Sequence, residues 1–317
     1  MTATSPWPLL ATLTVATAMD AVNSTVLVIA GGHLMGATHA TPDEIAWVNM
    51  AYLAAKLTAF PLAAWLALRI VPFRLLLTAM LVLPLSSFGC AVTTDLFILI
   101  AWRVVQGIGG AVLLVAGQTL LLEIFPRRRQ GMVQALFAFS TVMAPTTIAP
   151  ALQGWAVDTL SWSWIFLANL PLGLVGLIGL LARRNTPGVA RRQPPAGRFD
   201  WLGLALLGPA MICIVFVLHE GNRYDWFEEP EIVEATIVGA LALALFVAWQ
   251  IRAQGRGALI DLGVFRDQHF SFGFIVSFIA GCAMFGSAFL IPSFATGALD
   301  LSPTHAGLLL LPSGALV

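Results

Sequence analysis

The chain has 317 residues and a formal net charge of zero, and 59% of its residues are hydrophobic while only 10% are charged. Soluble domains carry about 25% charged residues, so this composition excludes an ordinary water-soluble fold. Long, continuous apolar runs recur along the sequence, which predicts an all-α, polytopic membrane protein rather than the short alternating segments of a β-barrel. The balanced charge gives no electrostatic support for binding to nucleic acid.

Membrane-spanning helices need about 20 mostly apolar residues each. Runs of this kind predict nine complete spans, near residues 8–32, 44–68, 75–93, 96–122, 131–152, 163–182, 201–219, 232–251 and 270–292. A tenth run begins near His305, and no loop or polar tail closes it before Val317. We therefore expect the natural protein to continue beyond this sequence.

The cations are distributed unevenly between the two sides of the predicted membrane. Thirteen of the sixteen follow the second, fourth, sixth and eighth spans, whereas only Arg223 falls in a loop on the other side. Cationic loops stay in the cytoplasm, so we expect the N-terminus to be cytoplasmic. The thirteen are Arg69, Arg74, Arg127, Arg128, Arg129, Arg183, Arg184, Arg191, Arg192, Arg198, Arg252, Arg256 and Arg266.

Three charged residues lie several residues from either end of a predicted span: Asp20, Lys56 and Arg103. At about 1.5 Å per residue, Asp20 and Lys56 each lie roughly 18 Å into their spans, and Arg103 lies roughly 10 Å in. A charge near the bilayer centre costs at least about 2.5 kcal/mol, and such residues normally face a water-filled cavity or each other. We expect Asp20 and Arg103 to be functional. The alternative is a purely structural ion pair, and for Lys56 both interpretations stay open.

Four polar residues accompany these charges. Asn23 lies one turn from Asp20, and Gln106 shares a helix face with Arg103. Gln118 and Gln153 lie in the fourth span and at the end of the fifth. Each is either a substrate ligand or an interhelical hydrogen bond, which contributes about 0.6 kcal/mol on average in membranes.

Small residues and prolines shape the same helices. Gly107 and Ala111 have the small-xxx-small spacing that lets another backbone approach closely. Pro145 and Pro150 interrupt the fifth span and should bend it. The three cysteines all lie in apolar runs, and the five histidines form no pair at ligand spacing, so neither a metal nor a cofactor is expected.

Several segments, in order, resemble motifs of the major facilitator superfamily. RVVQGIGGA, with Arg103, Gln106 and Gly107, resembles the fourth-helix motif. APTTIAPALQGW at 144–155 resembles the fifth-helix antiporter motif, and SWSWIFLANLPLG at 161–173, with Asn169, resembles the segment that opens the sixth helix. GNRYDWF and LIDLGVFRDQHF resemble later loop segments. The set covers essentially the entire chain and resembles the fourteen-helix drug:proton antiporter branch, the EmrB/QacA type.

The resemblance implies a fold of two six-helix bundles with two extra helices between them. It assigns proton coupling and substrate binding to Asp20 and Arg103. The bend matching Pro145, Pro150 and Gly154 would set the antiport direction and seal the bundle interface. Arg69 keeps an arginine of the loop motif after the second span, whereas the aspartate position of that motif holds Leu68.

The domain boundaries follow from a segment rich in proline, glycine and arginine at 183–199, which is typical of a cytoplasmic linker. We expect residues 1–182 to form the N-terminal six-helix bundle and residues 200–251 to form the two additional transmembrane helices. Residues 252–317 would be the incomplete start of a C-terminal bundle.

These observations predict a secondary active transporter, not an enzyme, that drives proton-coupled efflux of hydrophobic or cationic drugs by alternating access. Its partners would be a small-molecule substrate, protons and the lipid bilayer of a bacterial inner membrane, with a periplasmic adaptor protein expected by analogy only. The expected substrate ligands are Lys56, Asn23, Gln106, Gln118 and Gln153.

Three alternatives remain beside this prediction. One is a facilitator or a transporter of anionic solutes, with Lys56 and Arg103 as the binding pair. Another is an inactive fragment of a longer transporter. A membrane-embedded enzyme is disfavoured, because the sequence contains no metal-capable or nucleophile–base cluster near an interface.

Overall fold

The computed structural model describes residues 7–143, 149–183, 198–255 and 257–309. These residues form α-helices and two short 3₁₀ turns, with no strand among them, which confirms the all-α prediction. The helices are α1 (Trp7–Thr38), α2 (Pro42–Arg69), α3 (Pro72–Val92), α4 (Leu96–Ile124), α5 (Arg127–Met143), α6 (Ala149–Thr159), α7 (Ser163–Leu167), α8 (Asn169–Ala182), α9 (Trp201–Glu220), α10 (Pro230–Ala253), α11 (Gln268–Gly297) and α12 (Pro303–Leu308).

Eight helices within the described part of the chain are long and apolar enough to cross a membrane, counting α7 and α8 together as one. The predicted fifth span, 131–152, is not among them: α5 ends at Met143, α6 begins at Ala149, and Pro145 lies outside the described residues. The tenth span is described only as α12, because residues 310–317 are outside the described part as well.

Local sequence signals fix where the helices begin. The Thr41 hydroxyl accepts a hydrogen bond from the backbone N–H of Glu44, while the Glu44 carboxylate accepts one from the backbone N–H of Thr41, a capping box that starts α2. The Asp95 carboxylate accepts a bond from Ile98 N and starts α4 in the same way. Both caps satisfy backbone donors that the first turn leaves without partners.

The first bundle has two apolar clusters separated by a polar layer. One cluster contains Leu13, Leu76 and Leu120, and the other contains Leu34 and Leu99, all fully or almost fully buried. The buried polar residues of α1, α3, α4 and α8 lie between them. They are Asp20, Asn23, Ser86, Ser87, Arg103, Gln106 and Asn169.

Helices α9 and α10, which the sequence predicts as two additional transmembrane helices, form a hairpin whose first helix packs on α2. Trp47 of α2 stacks on Phe216 of α9, with ring centroids 5.6 Å apart. An apolar cavity of about 490 Å³ lies between α2, α4 and α9. Its lining includes Thr58 but none of Asp20, Tyr52 and Lys56, so the cavity is separate from the polar layer.

Candidate functional site

An ion pair joins the middle of α1 to the middle of α2. Lys56 Nζ lies 2.6 Å from Asp20 Oδ2, and the Tyr52 hydroxyl donates a hydrogen bond of 2.7 Å to Asp20 Oδ1. The Asp20 and Lys56 side chains are only 8% and 14% exposed, and Tyr52 is fully buried. Each carboxylate oxygen therefore has one donor, which is the arrangement that an ionised carboxylate needs when it is away from water.

Two glycines of α4 make this close approach of three helices possible. A Cβ built on Gly110 would lie well inside contact distance of Asp20 Oδ1, and one built on Gly107 would clash with the backbone carbonyl of Tyr52. The small-residue spacing predicted around Gly107 thus lies where α4 packs against α2, and Gly110 leaves room for the Asp20 carboxylate.

Arg103 is fully buried and makes all its contacts with neutral groups. Its Nε donates to the carbonyl oxygen of Val48, its Nη1 to Gln106 Oε1 and its Nη2 to the carbonyl oxygen of Asn23, each at 3.0 Å. The guanidinium also lies 4.2 Å from the ring centroid of Tyr52. In the described structure, protein acceptors and an aromatic face therefore surround the guanidinium.

Hydrogen bonds continue the polar layer from Arg103 to α3 and α8. Gln106 Nε2 donates to Ser87 Oγ at 2.8 Å, and Asn169 Nδ2 donates to both Ser87 Oγ and Asn23 Oδ1. The Nδ2 of Asn23 and the Oδ1 of Asn169 are buried without a partner. The network ties α1, α3, α4 and α8 together around the guanidinium.

Other residues that the sequence singled out lie outside this network. Gln153 of α6 donates to the carbonyl oxygen of Val22 and accepts from Thr25, so it holds α6 against α1. Gln118 is exposed and donates to Gln134 of α5. Gln118 lies eight residues after Gly110, roughly 12 Å along α4, and so is remote from the Asp20 carboxylate.

The motif residues are described unevenly. Arg69 lies at the end of α2, with its guanidinium 4.3 Å from the ring centroid of Trp65. Gly154 is buried within α6. Pro145 and the side chain of Pro150 lie outside the described residues, so the predicted bend of the fifth span has no structural description.

Sequence reasoning missed three residues of the site: Tyr52, Ser87 and Gly110. Tyr52 precedes Lys56 by one helical turn, and this spacing places both on one face of α2. Gly110 is likewise seven residues after Arg103, two turns along the same face of α4. These spacings were available in the sequence, whereas the contact of Ser87 with Gln106 and Asn169 depends on how three helices pack.

The middle of the bundle carries more positive than negative charge among the described residues. Lys56 and Arg103 contribute two cations, and Asp20 contributes one carboxylate. No group of three potential metal ligands is present in the described ranges. The arrangement places one carboxylate beside two cations in a polar layer away from water.

Comparison with known proteins places the chain in a transporter family. The family model of the Major Facilitator Superfamily matches residues 13–317. An uncharacterized MFS-type transporter of Mycobacterium tuberculosis is 35% identical over 98% of this chain and 52% of its own length. The multidrug export protein EmrB of Escherichia coli is 30% identical over 95% of this chain and 58% of its own length.

A solved structure agrees at the level of the fold. A POT family transporter in complex with a thioalcohol-conjugated peptide superimposes with a TM-score of 0.62 at 15% identity, over 97% of this chain and 66% of that one. The chain spans a little over half the length of the two curated relatives described. The sequence and structural matches agree with the helical architecture, and the chain belongs to the Major Facilitator Superfamily.

Proposed function

We propose that this transporter exports hydrophobic or cationic drugs in exchange for protons, with Asp20 as the group that binds and releases the proton. The buried ion pair between Asp20 and Lys56 carries this proposal. A carboxylate at this depth is expensive to place in a membrane, and intramembrane acids normally serve transport. The export activity of the EmrB relative supports drugs as the substrate class.

The pair gives Asp20 two states that a transport cycle needs. While Lys56 and Tyr52 contact the carboxylate, the ionised form is favoured, because a cation and a donor stabilise its charge. When the pair separates, a carboxyl away from water favours its protonated form. Rigid-body rocking of helical bundles about a midplane site would couple this change to substrate movement.

The membrane potential is large enough to drive such a cycle for a neutral substrate, whereas exchange of a monovalent cation for one proton moves no net charge and depends on the pH gradient. One elementary charge moved across 100 mV supplies about 2.3 kcal/mol, which sustains roughly a fiftyfold concentration gradient.

Arg103 would act as the fixed centre of the site, since its donors already bind α1, α2 and α4. Asn23 and Gln106, which bind within the polar layer, would contact substrate only after the layer rearranges, and Gln118 and Gln153 would act at its margins.

We expect replacement of Asp20 by asparagine to abolish proton-driven export, because the amide cannot take up a proton at this position. Inverted membrane vesicles expressing the full-length protein are energised, and uptake of ethidium is followed with and without a protonophore. The matched control is Asp225→Asn, since Asp225 is an aspartate outside the bundle with a left-handed backbone that asparagine tolerates. Export by Asp20→Asn at the wild-type rate and pH dependence would falsify the proposal.

A second candidate, transport of anionic solutes, is favoured by the excess of two cations over one carboxylate in the bundle interior. In that case Lys56 and Arg103 bind the substrate directly. The Lys56→Asn variant distinguishes the two candidates, because it should destroy binding of an anion but leave binding of a cation at Asp20 in place.

A further inference from the structure

The Lys56 ammonium occupies the position on Asp20 that a cationic substrate would need. Asp20 Oδ1 is taken by the Tyr52 hydroxyl, and Asp20 Oδ2 is taken by Lys56 Nζ at 2.6 Å. Lys56 also lies 3.3 Å from the Tyr52 hydroxyl and 5.3 Å from the centroid of its ring. Each oxygen of this carboxylate therefore already has a donor, and a substrate cation that pairs with Asp20 Oδ2 competes with the ammonium for it.

Charge repulsion makes simple addition of a cation unfavourable. Asp20, Lys56 and Arg103 together give the site a net charge of one positive unit, and Arg103 keeps its charge at every accessible pH. A substrate cation bound beside an intact ammonium would raise that charge to two in a medium that screens poorly. Loss of one proton from Lys56 restores the original charge.

We propose that Lys56 is a tethered counter-ion that a cationic substrate replaces on Asp20, and that Lys56 gives up its proton when this happens. The inference rests on the proposed role of Asp20 as the carboxylate at the transport site. One N–H bond of the ammonium breaks, its electron pair stays on Nζ as a neutral amine, and the proton passes to water. The substrate cation then pairs with Asp20 Oδ2, so atoms and charge balance.

Few other groups compete for this proton. The α1 helix presents Asp20, α2 itself adds Tyr52, and α4 presents Arg103. Cys90 of α3 is buried on the Arg103 side of the layer. In α9, His219 and Glu220 pair with each other at the helix end. Lysine loses its proton readily when it is buried, whereas arginine does not.

The consequence is a rule for substrate charge. A cationic substrate exchanges directly for a proton at Lys56, and this exchange has the sign that an antiporter requires. A neutral hydrophobic substrate does not displace the ammonium and depends on Asp20 alone. Lys56 is thus a specificity-determining residue that separates the two substrate classes.

The test measures proton release when the purified full-length protein binds tetraphenylphosphonium, a lipophilic cation with no exchangeable proton. A pH-sensitive dye in weakly buffered detergent solution reports the protons, and equilibrium dialysis reports the binding. We expect about one proton per bound cation, and an affinity that rises about tenfold per pH unit while Lys56 is protonated in the free protein. Binding without proton release, or no binding at any pH, overturns the proposal.

Three variants distinguish the effect of the positive charge at Lys56 from the effect of its proton loss. Lys56→Arg keeps the charge but cannot lose the proton, so it should bind tetraphenylphosphonium at least tenfold more weakly than wild type at every pH. Lys56→Met should keep binding, and any proton that it releases comes from Asp20, which has then lost its cation. Thr58→Val, two residues away on the cavity side of α2, should behave like wild type. Wild-type affinity in Lys56→Arg contradicts the inference.

Failure of this inference differs from failure of the proposed function. A protein that needs Asp20 for proton-driven export but releases no proton with tetraphenylphosphonium loses only the role given to Lys56. Export that survives Asp20→Asn with unchanged pH dependence removes the transport role of Asp20 itself.

Discussion

The two buried cations of the bundle are stabilised in different ways, and this decides which of them can change during transport. Arg103 donates to carbonyl and amide oxygens on three helices and lies against the face of Tyr52. Lys56 has one strong partner, the Asp20 carboxylate, and is 14% exposed. Because arginine keeps its charge and lysine can lose a proton, the proposed exchange has Arg103 as its fixed charge and Lys56 as its exchangeable one.

Gly110 controls the position of the Asp20 carboxylate, so we expect Gly110→Ala to impair coupling more than folding. The new methyl group would overlap Asp20 Oδ1, which can move only by leaving the Tyr52 hydroxyl. Proton-driven ethidium export in inverted vesicles should fall at least about tenfold, the effect of a loss of roughly 1.4 kcal/mol. Thermal unfolding in detergent should show a stable protein.

Gly117→Ala is the matched control for this prediction. Gly117 lies on the same helix, and a methyl group there would meet Phe137 Cζ at 3.5 Å, which is ordinary contact. Its export should equal that of wild type. If Gly110→Ala also transports normally, the carboxylate is free to move and the geometry around Asp20 is less important than we argue.

At the residue scale, the sequence predicts which side chains are unusual, but it does not predict which groups form their hydrogen bonds and ion pairs. Asp20, Lys56 and Arg103 stand out because a charge in an apolar run has few harmless explanations. The acceptors of Arg103 include the backbone carbonyls of Asn23 and Val48. Backbone carbonyls leave no mark in a sequence, so these partners of Arg103 could not be predicted from it.

At the level of secondary-structure elements, a cluster of hydrogen bonds around Asp200 joins the start of α9 to the end of α10. The Asp200 carboxylate accepts bonds from Gly203 N, Trp249 Nε1 and Gln250 Nε2. Burial alone would raise the pKa of Asp200, but these donors outweigh it and hold the pKa below its usual value. Gln250 in turn accepts a bond from Ile260 N, which fixes the segment after the hairpin.

We expect Asp200→Ala to lower the melting temperature of the detergent-solubilised protein, because it removes a helix cap, worth about 1 kcal/mol, and leaves the buried Gln250 without an acceptor. Asp200→Asn keeps the size of the side chain and an acceptor oxygen, so its melting temperature should fall less. Equal melting temperatures for wild type and Asp200→Ala would contradict this role.

The pH dependence follows from the direction of the pKa shift. The folded-state pKa of Asp200 lies below the value of about 3.9 for an unfolded aspartate. The carboxylate therefore stabilises the hairpin above about pH 4, and this contribution is lost as the pH falls through the lowered pKa. The difference between wild type and Asp200→Asn should shrink over that acidic range.

Helix starts were predicted well where the start of an apolar run coincides with an N-capping residue. The second and fourth spans follow this rule, since α2 and α4 begin at capped turns next to the predicted starts. The first helix was predicted to end near residue 32, at a pair of glycines, but α1 continues to Thr38. Leu34 is buried in the second apolar cluster, and this packing carries the helix past the weak helix formers.

At the scale of the whole molecule, the order of the helices along the chain could be predicted better than which helices pack against each other. Hydropathy predicts each span separately, because each span needs its own stretch of about 20 apolar residues to cross the bilayer. The packing of α9 against α2, and the cavity between α2, α4 and α9, depend on matching side chains that lie far apart in the sequence. Such pairings are properties of the folded bundle and leave no local pattern.

The charge distribution also predicts how the molecule sits in the membrane. Thirteen arginines lie at or after the ends of the even-numbered predicted spans, and we expect them on one side of the membrane with Arg223 alone on the other, because cationic segments resist translocation. In a protein whose Cys90, Cys213 and Cys282 are replaced by alanine, Arg128→Cys and Asp225→Cys mark the two sides. We expect a membrane-impermeant maleimide to label Asp225→Cys in intact spheroplasts and Arg128→Cys only after the membrane is opened. The reverse labelling pattern would mean that the protein has the opposite orientation in the membrane. The proposed exchange of protons for substrate at Asp20 and Lys56 would then run in the opposite direction.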